Sequence, residues 1–183
     1  MPIRLVDSGR AGSEETAKER NHLIDPRHFR DVMGSYPTGV SVITSVAPDG
    51  TRWGLAVGTF TAISLAPPLV GFMPDKRSQS WQQIEKTGAF CVNILSDVQL
   101  DMCRRFAARG GDKFDGISHG HSPGGLPLLD DVLAWVECGI EKVVELGDHV
   151  LVVGAVRALE RIGDGAPLLF HRGGYHTLDR IEA

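Results

Sequence analysis

The stretch WGLAVGTFTAISLAPPLVGFMPDKRSQSW, Trp53–Trp81, decides the fold because it places short β-prone runs between turn residues. Trp53–Leu65 predicts one strand or a pair of strands rich in small residues. Leu69–Met73 predicts another strand after a double proline. Ser78–Lys86 then carries apolar residues at helical spacing, so the pattern changes from strand to helix.

Working outward, alternating or continuous apolar runs predict five further strands: Gly39–Ser45, Phe90–Leu95, Ala134–Val144, His149–Leu159 and Leu168–Phe170. Two more helices are predicted, one beginning after Asp25 and one running from Ser96 through Arg109. Residues 112–130 are predicted to be a loop. Strands outnumber helices and do not alternate with them, which favours a mainly β protein, an antiparallel barrel with helical insertions.

Composition indicates a packed protein with little affinity for polyanions. The 183 residues are 42% hydrophobic and 23% charged, with a formal net charge of −4. That balance suits a globular core and argues against nucleic acid as a partner. The three cysteines lack disulfide or zinc spacing, and we expect them to be reduced core residues. No apolar run has the length of a membrane span or of a signal sequence, so a soluble, cytoplasmic protein without a membrane partner is predicted.

The amino-terminal 22 residues are polar, and we predict a flexible tail at residues 1–22 followed by one domain over residues 23–183. The alternative is a short helix from Glu14 to Arg20 that docks on a partner subunit. Either interpretation leaves the chemistry to the domain.

Small residues are concentrated between Gly54 and Ser64, where they would let the backbone approach a flat ligand closely. Cations and hydroxyls follow at a helix start, among them Lys76, Arg77 and Ser78, and such a set suits a phosphate. A ring site followed by a phosphate site is what a flavin nucleotide needs. The alternative is a crowded strand crossing beside a capped surface helix.

Histidines offer little evidence for a metal. His119 and His121 flank one glycine in a Gly/Pro-rich segment. Two histidines alone are a weak ligand set, so an exposed loop pair is expected and no metal site is predicted.

Seven fragments in order resemble the short-chain flavin reductases, the NAD(P)H:flavin oxidoreductase components of two-component flavin-dependent monooxygenases. The resemblance covers about residues 25–178 and is carried by FRDVMGSYPTGVSVIT (Phe29–Thr44), GTFTAISLAPPLV (Gly58–Val70), RSQSW (Arg77–Trp81), FCVNILSDVQ (Phe90–Gln99), KFDG (Lys113–Gly116), GDH (Gly147–His149) and PLLFHRGGY (Pro167–Tyr175). It implies an FMN-binding split β-barrel of the flavin reductase type. It also implies a homodimer, and a flavin-dependent oxygenase that receives the reduced flavin.

The resemblance also implies where the ligands bind. The isoalloxazine and ribityl chain would lie against Thr38, Ala56, Val57, Gly58, Thr59, Phe60, Ala62 and Ile63. The phosphate end would lie near Arg77, Ser78 and Gln79, with Gln83 and Ile84 beside them and Arg109 near the dinucleotide end. The nicotinamide nucleotide would meet Phe170, His171, Arg172 and Gly173, with His149 near the same entrance.

The implied reaction is hydride transfer from nicotinamide C4 to flavin N5, with FMN or FAD as the flavin and NADH, or alternatively NADPH, as the donor. His149 would guide the nicotinamide or protonate reduced flavin; alternatively it would only hydrogen-bond the turn before it. A different function is a flavin-binding electron carrier without efficient nicotinamide oxidation. A third is a haem or nucleotide binder on the same barrel.

Overall fold

A computed structural model describes residues 24–179, which divide into two compact units between Tyr36 and Pro37. The first contains helix α1 (Pro26–Gly34), as predicted: the Asp25 carboxylate accepts the N–H groups of Arg27 and His28 at its start. The tail predicted for residues 1–22 lies outside the described residues.

The second unit is mostly β, as predicted, with twelve strands counted among the described residues. They are β1 (Thr38–Gly39), β2 (Ser41–Val46), β3 (Arg52–Val57), β4 (Thr61–Leu65), β5 (Pro68–Phe72), β6 (Ala89–Ile94), β7 (His119–His121), β8 (Pro127–Leu129), β9 (Ala134–Leu146), β10 (His149–Arg161), β11 (Leu169–His171) and β12 (Gly174–His176). Two α-helices interrupt them, α2 (Gln79–Thr87) and α3 (Leu100–Ala107). In the described part of the chain, no helix is both long and apolar enough to cross a membrane.

Seven strands form one antiparallel sheet in the order β3-β2-β6-β9-β10-β5-β4. A three-stranded sheet has the order β1-β11-β12, and β7 and β8 form a separate hairpin. The sheets are not closed into a barrel by hydrogen bonds. Strand β3 therefore ends the large sheet, pairing with β2 on one side only, and its other edge is open to neighbouring groups.

Three sequence-based predictions about element boundaries were wrong. Helix α3 ends at Ala107 rather than Arg109, because Ala108 has an extended backbone with ψ 154°. The segment 112–130, predicted to be a loop, contains the hairpin of β7 and β8. Strand β12 was missed, since Gly174 begins it rather than belonging to the turn.

The core of the large sheet combines aliphatic side chains with three aromatic rings that pack edge-to-face. Phe72 packs edge-to-face on Phe90 with ring centroids 5.1 Å apart, and on Trp81 of α2 at 5.8 Å. A second cluster surrounds Phe106 of α3 and Phe114, whose centroids are also 5.1 Å apart. Each helix is thus held to the sheet by an aromatic side chain that is completely or almost completely buried.

All three cysteines are buried and unpaired with one another, as predicted. Burial raises the pKa of Cys91 to about 12 and that of Cys138 to about 12. At neutral pH both thiols are therefore protonated, and they act as small apolar side chains rather than nucleophiles.

A glycine in β10 permits the closest packing in this core. A Cβ at Gly154 would lie 2.5 Å from Cζ of Phe90 and 3.0 Å from Cβ of Cys138. The ring of Phe90 is fully buried and has no space to retreat.

We predict that Gly154→Ala lowers the free energy of unfolding by about 2 kcal/mol, because the added methyl overpacks the core. Urea denaturation measures the effect. Gly120→Ala is the matched control, since a Cβ there meets nothing within 4 Å. Equal stability of the two variants would contradict the packing argument.

Candidate functional site

A cleft of about 1010 Å³ lies along β3, where the strand faces the start of α2 and the end of α3. Its walls are β3 with the following Gly58 and Thr59, the segment from Met73 to Ser80, and the segment from Phe106 to Lys113. His149 reaches it from the start of β10. Because β3 is an edge strand, the backbone amides and carbonyls of its outer edge are not used by a second neighbouring strand.

Two glycines of this wall are required by protein packing. A Cβ at Gly54 would lie 2.5 Å from the Phe106 ring, so this glycine allows α3 to approach β3. A Cβ at Gly58 would lie 2.7 Å from Oγ1 of Thr38, so this glycine allows β1 to approach the end of β3. The small residues therefore serve strand and helix packing at these two positions, as the alternative interpretation of the sequence proposed.

The loop after β3 is tied to the loop after β5 by one hydroxyl. Oγ1 of Thr59 accepts the N–H of Met73 at 2.9 Å and is 3.3 Å from the Met73 carbonyl oxygen, to which it donates. This arrangement sets the spacing between the β3 wall and the segment that leads into α2.

Lys113 joins the three walls of the cleft. Its ammonium donates to the Gly54 carbonyl of β3 at 3.2 Å, to Oγ of Ser80 in α2 at 3.3 Å, and to the Phe106 carbonyl of α3 at 2.9 Å. All three acceptors are neutral, and burial lowers the pKa of the ammonium. Lys113 therefore combines a structural junction with a positive charge at the cleft.

Arg77 lies at the other side of α2's start and is engaged by a carboxylate. Its Nε and Nη2 donate to the two oxygens of Asp75 at 3.2 and 2.8 Å, and its backbone N–H donates to the same carboxylate at 2.8 Å. The side-chain hydrogen bond from Arg77 holds the pKa of Asp75 well below its ordinary value. The predicted phosphate-binding arginine is thus already in an ion pair.

His149 is attached to the turn before it and also lines the cleft. Its Nδ1 lies 2.8 Å from Oδ1 of Asp148, and this hydrogen bond lowers the pKa of that carboxyl. Donation from Nδ1 leaves Nε2 as the acceptor of the neutral imidazole. The hydrogen bond to the turn is therefore compatible with guiding the nicotinamide, whereas protonation of reduced flavin would need the imidazolium form, whose Nε2 also carries a proton.

A third cation, Arg52, stands at the start of β3. Its Nη1 donates to Nε2 of His119 at 3.1 Å, and its guanidinium lies 5.3 Å from the Phe114 ring centroid. Nδ1 of His119 lies 2.9 Å from the Ile117 carbonyl, so this histidine is a neutral positioning group for Arg52. Among the residues that the structure describes, no group of three or more His, Cys, Asp or Glu could hold a metal ion.

The cleft brings together nine of the predicted site residues: Ala56, Val57, Gly58, Thr59, Arg77, Ser78, Gln79, Arg109 and His149. Thr38 is next to this group through its contact with Gly58. Ser78 caps α2 by accepting the Trp81 N–H at 3.3 Å, which places its hydroxyl at the helix start as predicted.

The remaining predicted residues lie outside the cleft walls. Phe60 packs against the main core, and Ala62 and Ile63 are exposed on the edge strand β4. Phe170 and His171 lie on β11, where Phe170 pairs with Thr38, and Arg172 and Gly173 form the turn that follows. Both turn residues have positive φ, 49° and 78°, as a two-residue hairpin requires.

The two predicted residues within helix α2, Gln83 and Ile84, differ in burial. Ile84 has no exposed surface and belongs to the main core, because it faces the sheet one turn after Trp81. Its side chain holds the helix in place, and its assignment as a ligand contact stays a prediction. Gln83 is half-buried, and its Oε1 accepts from Lys86 at 3.3 Å.

Sequence reasoning missed three side chains of the cleft, Arg52, Asp75 and Lys113. Lys113 stood in the KFDG fragment without an assigned role, and Asp75 stood two residues before Arg77. An acidic residue at that spacing is a signal for a local ion pair. Arg52 carried no local signal, since its partners are 62 or more residues away in the chain.

We predict that Lys113→Met lowers the free energy of unfolding by about 2 kcal/mol, because two carbonyls and one hydroxyl lose a charged donor. Lys142→Met, at an exposed position of β9, is the control and should unfold like the parent. Denaturant titration of both variants measures this. Similar stability for both would show that the junction contributes nothing.

Comparison with known proteins identifies the family. The model of the "Flavin reductase like domain" matches residues 33–179. A flavin reductase of Pseudomonas putida is 51% identical over 83% of this chain and 89% of its own. The reductase subunit HsaB of a flavin-dependent monooxygenase from Rhodococcus jostii is 48% identical over 85% and 80%.

A solved structure agrees with the sequence match. NADH:FAD oxidoreductase SgcE6 of Streptomyces globisporus, determined in complex with NAD and FAD fragments, has a TM-score of 0.80 and 31% identity over 86% of this chain and 96% of its own. The mostly β fold is that of the split-barrel flavin reductases, as predicted. The chain belongs to the flavin reductase-like domain family.

Proposed function

We propose that the protein reduces a flavin with a nicotinamide nucleotide in the cleft along β3 and supplies the reduced flavin to a partner oxygenase. The observation that carries the proposal is the cleft itself. One continuous groove of about 1010 Å³ joins an open strand edge to a helix start that carries Arg77 and Ser78. Such a volume is at the upper end of small-molecule sites and accommodates a ring system with a phosphate.

The residues present fit a flavin nucleotide. The open edge of β3, from Ala56 to Thr59, offers backbone donors and acceptors to a flat heterocycle. Ser78, Gln79 and Arg77 offer a hydroxyl, a helix-start amide and a cation to the phosphate. When bound, the flavin supplies the hydride acceptor, taking a hydride from nicotinamide C4 at its N5.

The protein's contribution is orientation and electrostatics. Lys113 joins the walls of the cleft, and a flavin and a nicotinamide held between these walls would need to stack at near-attack distance, about 3–3.5 Å. Backbone N–H groups of the β3 wall stabilise the negative charge that develops near N1 and C2=O of the reduced ring. His149, with Nδ1 held by Asp148, would present Nε2 to the nicotinamide or, as the imidazolium, would donate the Nε2 proton to reduced flavin.

Either FMN or FAD is compatible with this arrangement. Arg109 and Arg52, beyond the phosphate end, are available to a second phosphate or an adenine of FAD. NADH is the proposed donor, in line with the activity named for the SgcE6 relative, and NADPH is the alternative. The HsaB relative supports a monooxygenase component as the recipient of reduced flavin.

The predicted residues that lie away from the cleft are accounted for by a homodimer. Edge strand β4 exposes Ile63 by 47% and Leu65 by 92%, and Phe170 of β11 is 40% exposed. An open strand edge with exposed apolar side chains is suited to cover by another chain. A second copy would bring Ala62, Ile63 and the Phe170–Gly173 segment of one protomer towards a flavin site at the interface. We place this dimer in the cytoplasm.

The alternative function, an electron carrier, uses the same flavin site without oxidising a nicotinamide nucleotide. The first experiment is a steady-state assay with NADH and NADPH against FAD, FMN and riboflavin. We expect nucleotide oxidation that depends on added flavin and is faster with NADH. A protein that binds flavin and leaves both nucleotides unoxidised would favour the carrier.

For His149, we predict that His149→Ala raises the nicotinamide KM or lowers kcat by about tenfold, because the cleft loses an oriented imidazole. His121→Ala, at an exposed position of β7, is the control and should behave like the parent. Unchanged KM and kcat in the His149 variant would limit that residue to its hydrogen bond with the turn.

A further inference from the structure

We propose that Asp75 sets the flavin affinity of the cleft by competing with the flavin phosphate for Arg77. The inference rests on the proposed function, in which Arg77 meets that phosphate. It assigns a role to Asp75, an acidic residue beside a proposed phosphate site, where only cationic side chains would be expected.

The competition follows from the contact geometry. Both carboxylate oxygens of Asp75 are used by the Arg77 guanidinium, at 3.2 and 2.8 Å, in a two-point contact. A phosphate monoester uses the same planar donors of an arginine. A phosphate that takes the Nε–Nη2 edge displaces Asp75, and a phosphate that takes the Nη1–Nη2 edge shares the cation with it, so in both cases Asp75 lowers the attraction of Arg77 for the phosphate.

The two partners differ in freedom of movement. The Asp75 backbone is held on both sides, since it forms a β-bridge with His149 and its carbonyl accepts the Ser78 N–H at 2.9 Å. The Arg77 side chain is 82% exposed, whereas that of Asp75 is 34% exposed. The arginine therefore swings between anions while the carboxylate stays at the rim of the cleft.

The surrounding charges do not cancel this effect. Asp148, bonded to His149, adds a second carboxylate that acts on Arg77. Lys76 is paired with Glu145 at 2.8 Å. Lys113, on the other side of the helix start, gives its three protons to neutral acceptors. A phosphate at Arg77 thus meets one shared cation and two nearby carboxylates.

The consequence is a phosphate site of limited affinity. A reductase that hands its flavin to another protein must let the reduced form leave, and a competing carboxylate favours release by recapturing the arginine. The affinity is lowered without altering the ring site, so orientation for hydride transfer is retained.

The test compares FMN with riboflavin, which lacks only the phosphate, in equilibrium binding to the full-length protein. Asp75→Asn keeps an oxygen acceptor for the Arg77 N–H and removes the charge. We expect the Kd for FMN to fall about fivefold, the scale of an exposed ion pair. The Kd for riboflavin should stay within about twofold, since the competition involves only the phosphate.

Asp49→Asn is the matched control. Asp49 accepts the N–H of the residue two positions later, Thr51, at 2.9 Å, as Asp75 does with Arg77, and it does not line the cleft. Its FMN and riboflavin affinities should match those of the parent. In the double variant Asp75→Asn/Arg77→Gln, the gain in FMN affinity should disappear.

The outcomes separate this inference from the proposed function. If Arg77→Gln weakens FMN binding and Asp75→Asn leaves it unchanged, the competition is refuted and the phosphate site stands. If Arg77→Gln leaves FMN binding unchanged, the phosphate assignment fails and the competition fails with it. An equal gain for riboflavin in Asp75→Asn would also overturn the inference, because it would show a general charge effect.

Discussion

The cleft depends on the ammonium group of Lys113. Its three hydrogen bonds join the backbone of strand β3, a side chain of helix α2 and the last turn of helix α3. The ammonium group is about half-buried and its acceptors are neutral, so burial lowers its pKa. The three hydrogen bonds keep the ammonium group in position. The width of the groove, and hence the spacing of anything stacked in it, follows from this junction.

Three other basic side chains of the cleft are held by neighbouring groups as well. Arg77 is shared with Asp75, Arg52 is positioned by His119 and Phe114, and His149 is bonded to Asp148. Because Arg77 is paired with a carboxylate, its charge is oriented but partly neutralised. Under the proposed function, this balance suits a flavin that binds, accepts a hydride and leaves. A tightly held prosthetic group would be better served by cations without competing carboxylates.

Local patterns predicted much of the fold. The two long strands β9 and β10, the helix begun by Asp25 and the helix capped by Ser78 were all predicted, because alternation and capping are encoded in neighbouring residues. The hairpin of β7 and β8 was missed, since its three-residue strands carry too few side chains for a period to show. The resemblance did not show that Ile84 lies on the face of α2 that packs on the core.

By itself, the sequence determined the mainly β class, the family and two segments that line the cleft, Ala56–Thr59 and Arg77–Gln79. These features are written in local spacing and in ordered fragments. Only the tertiary structure decided that Gly54 makes room for Phe106, that Lys113 joins three elements and that Arg77 is shared with Asp75. The physical reason is that such contacts depend on distances of a few ångströms between side chains. The positions of these side chains along the sequence do not give those distances.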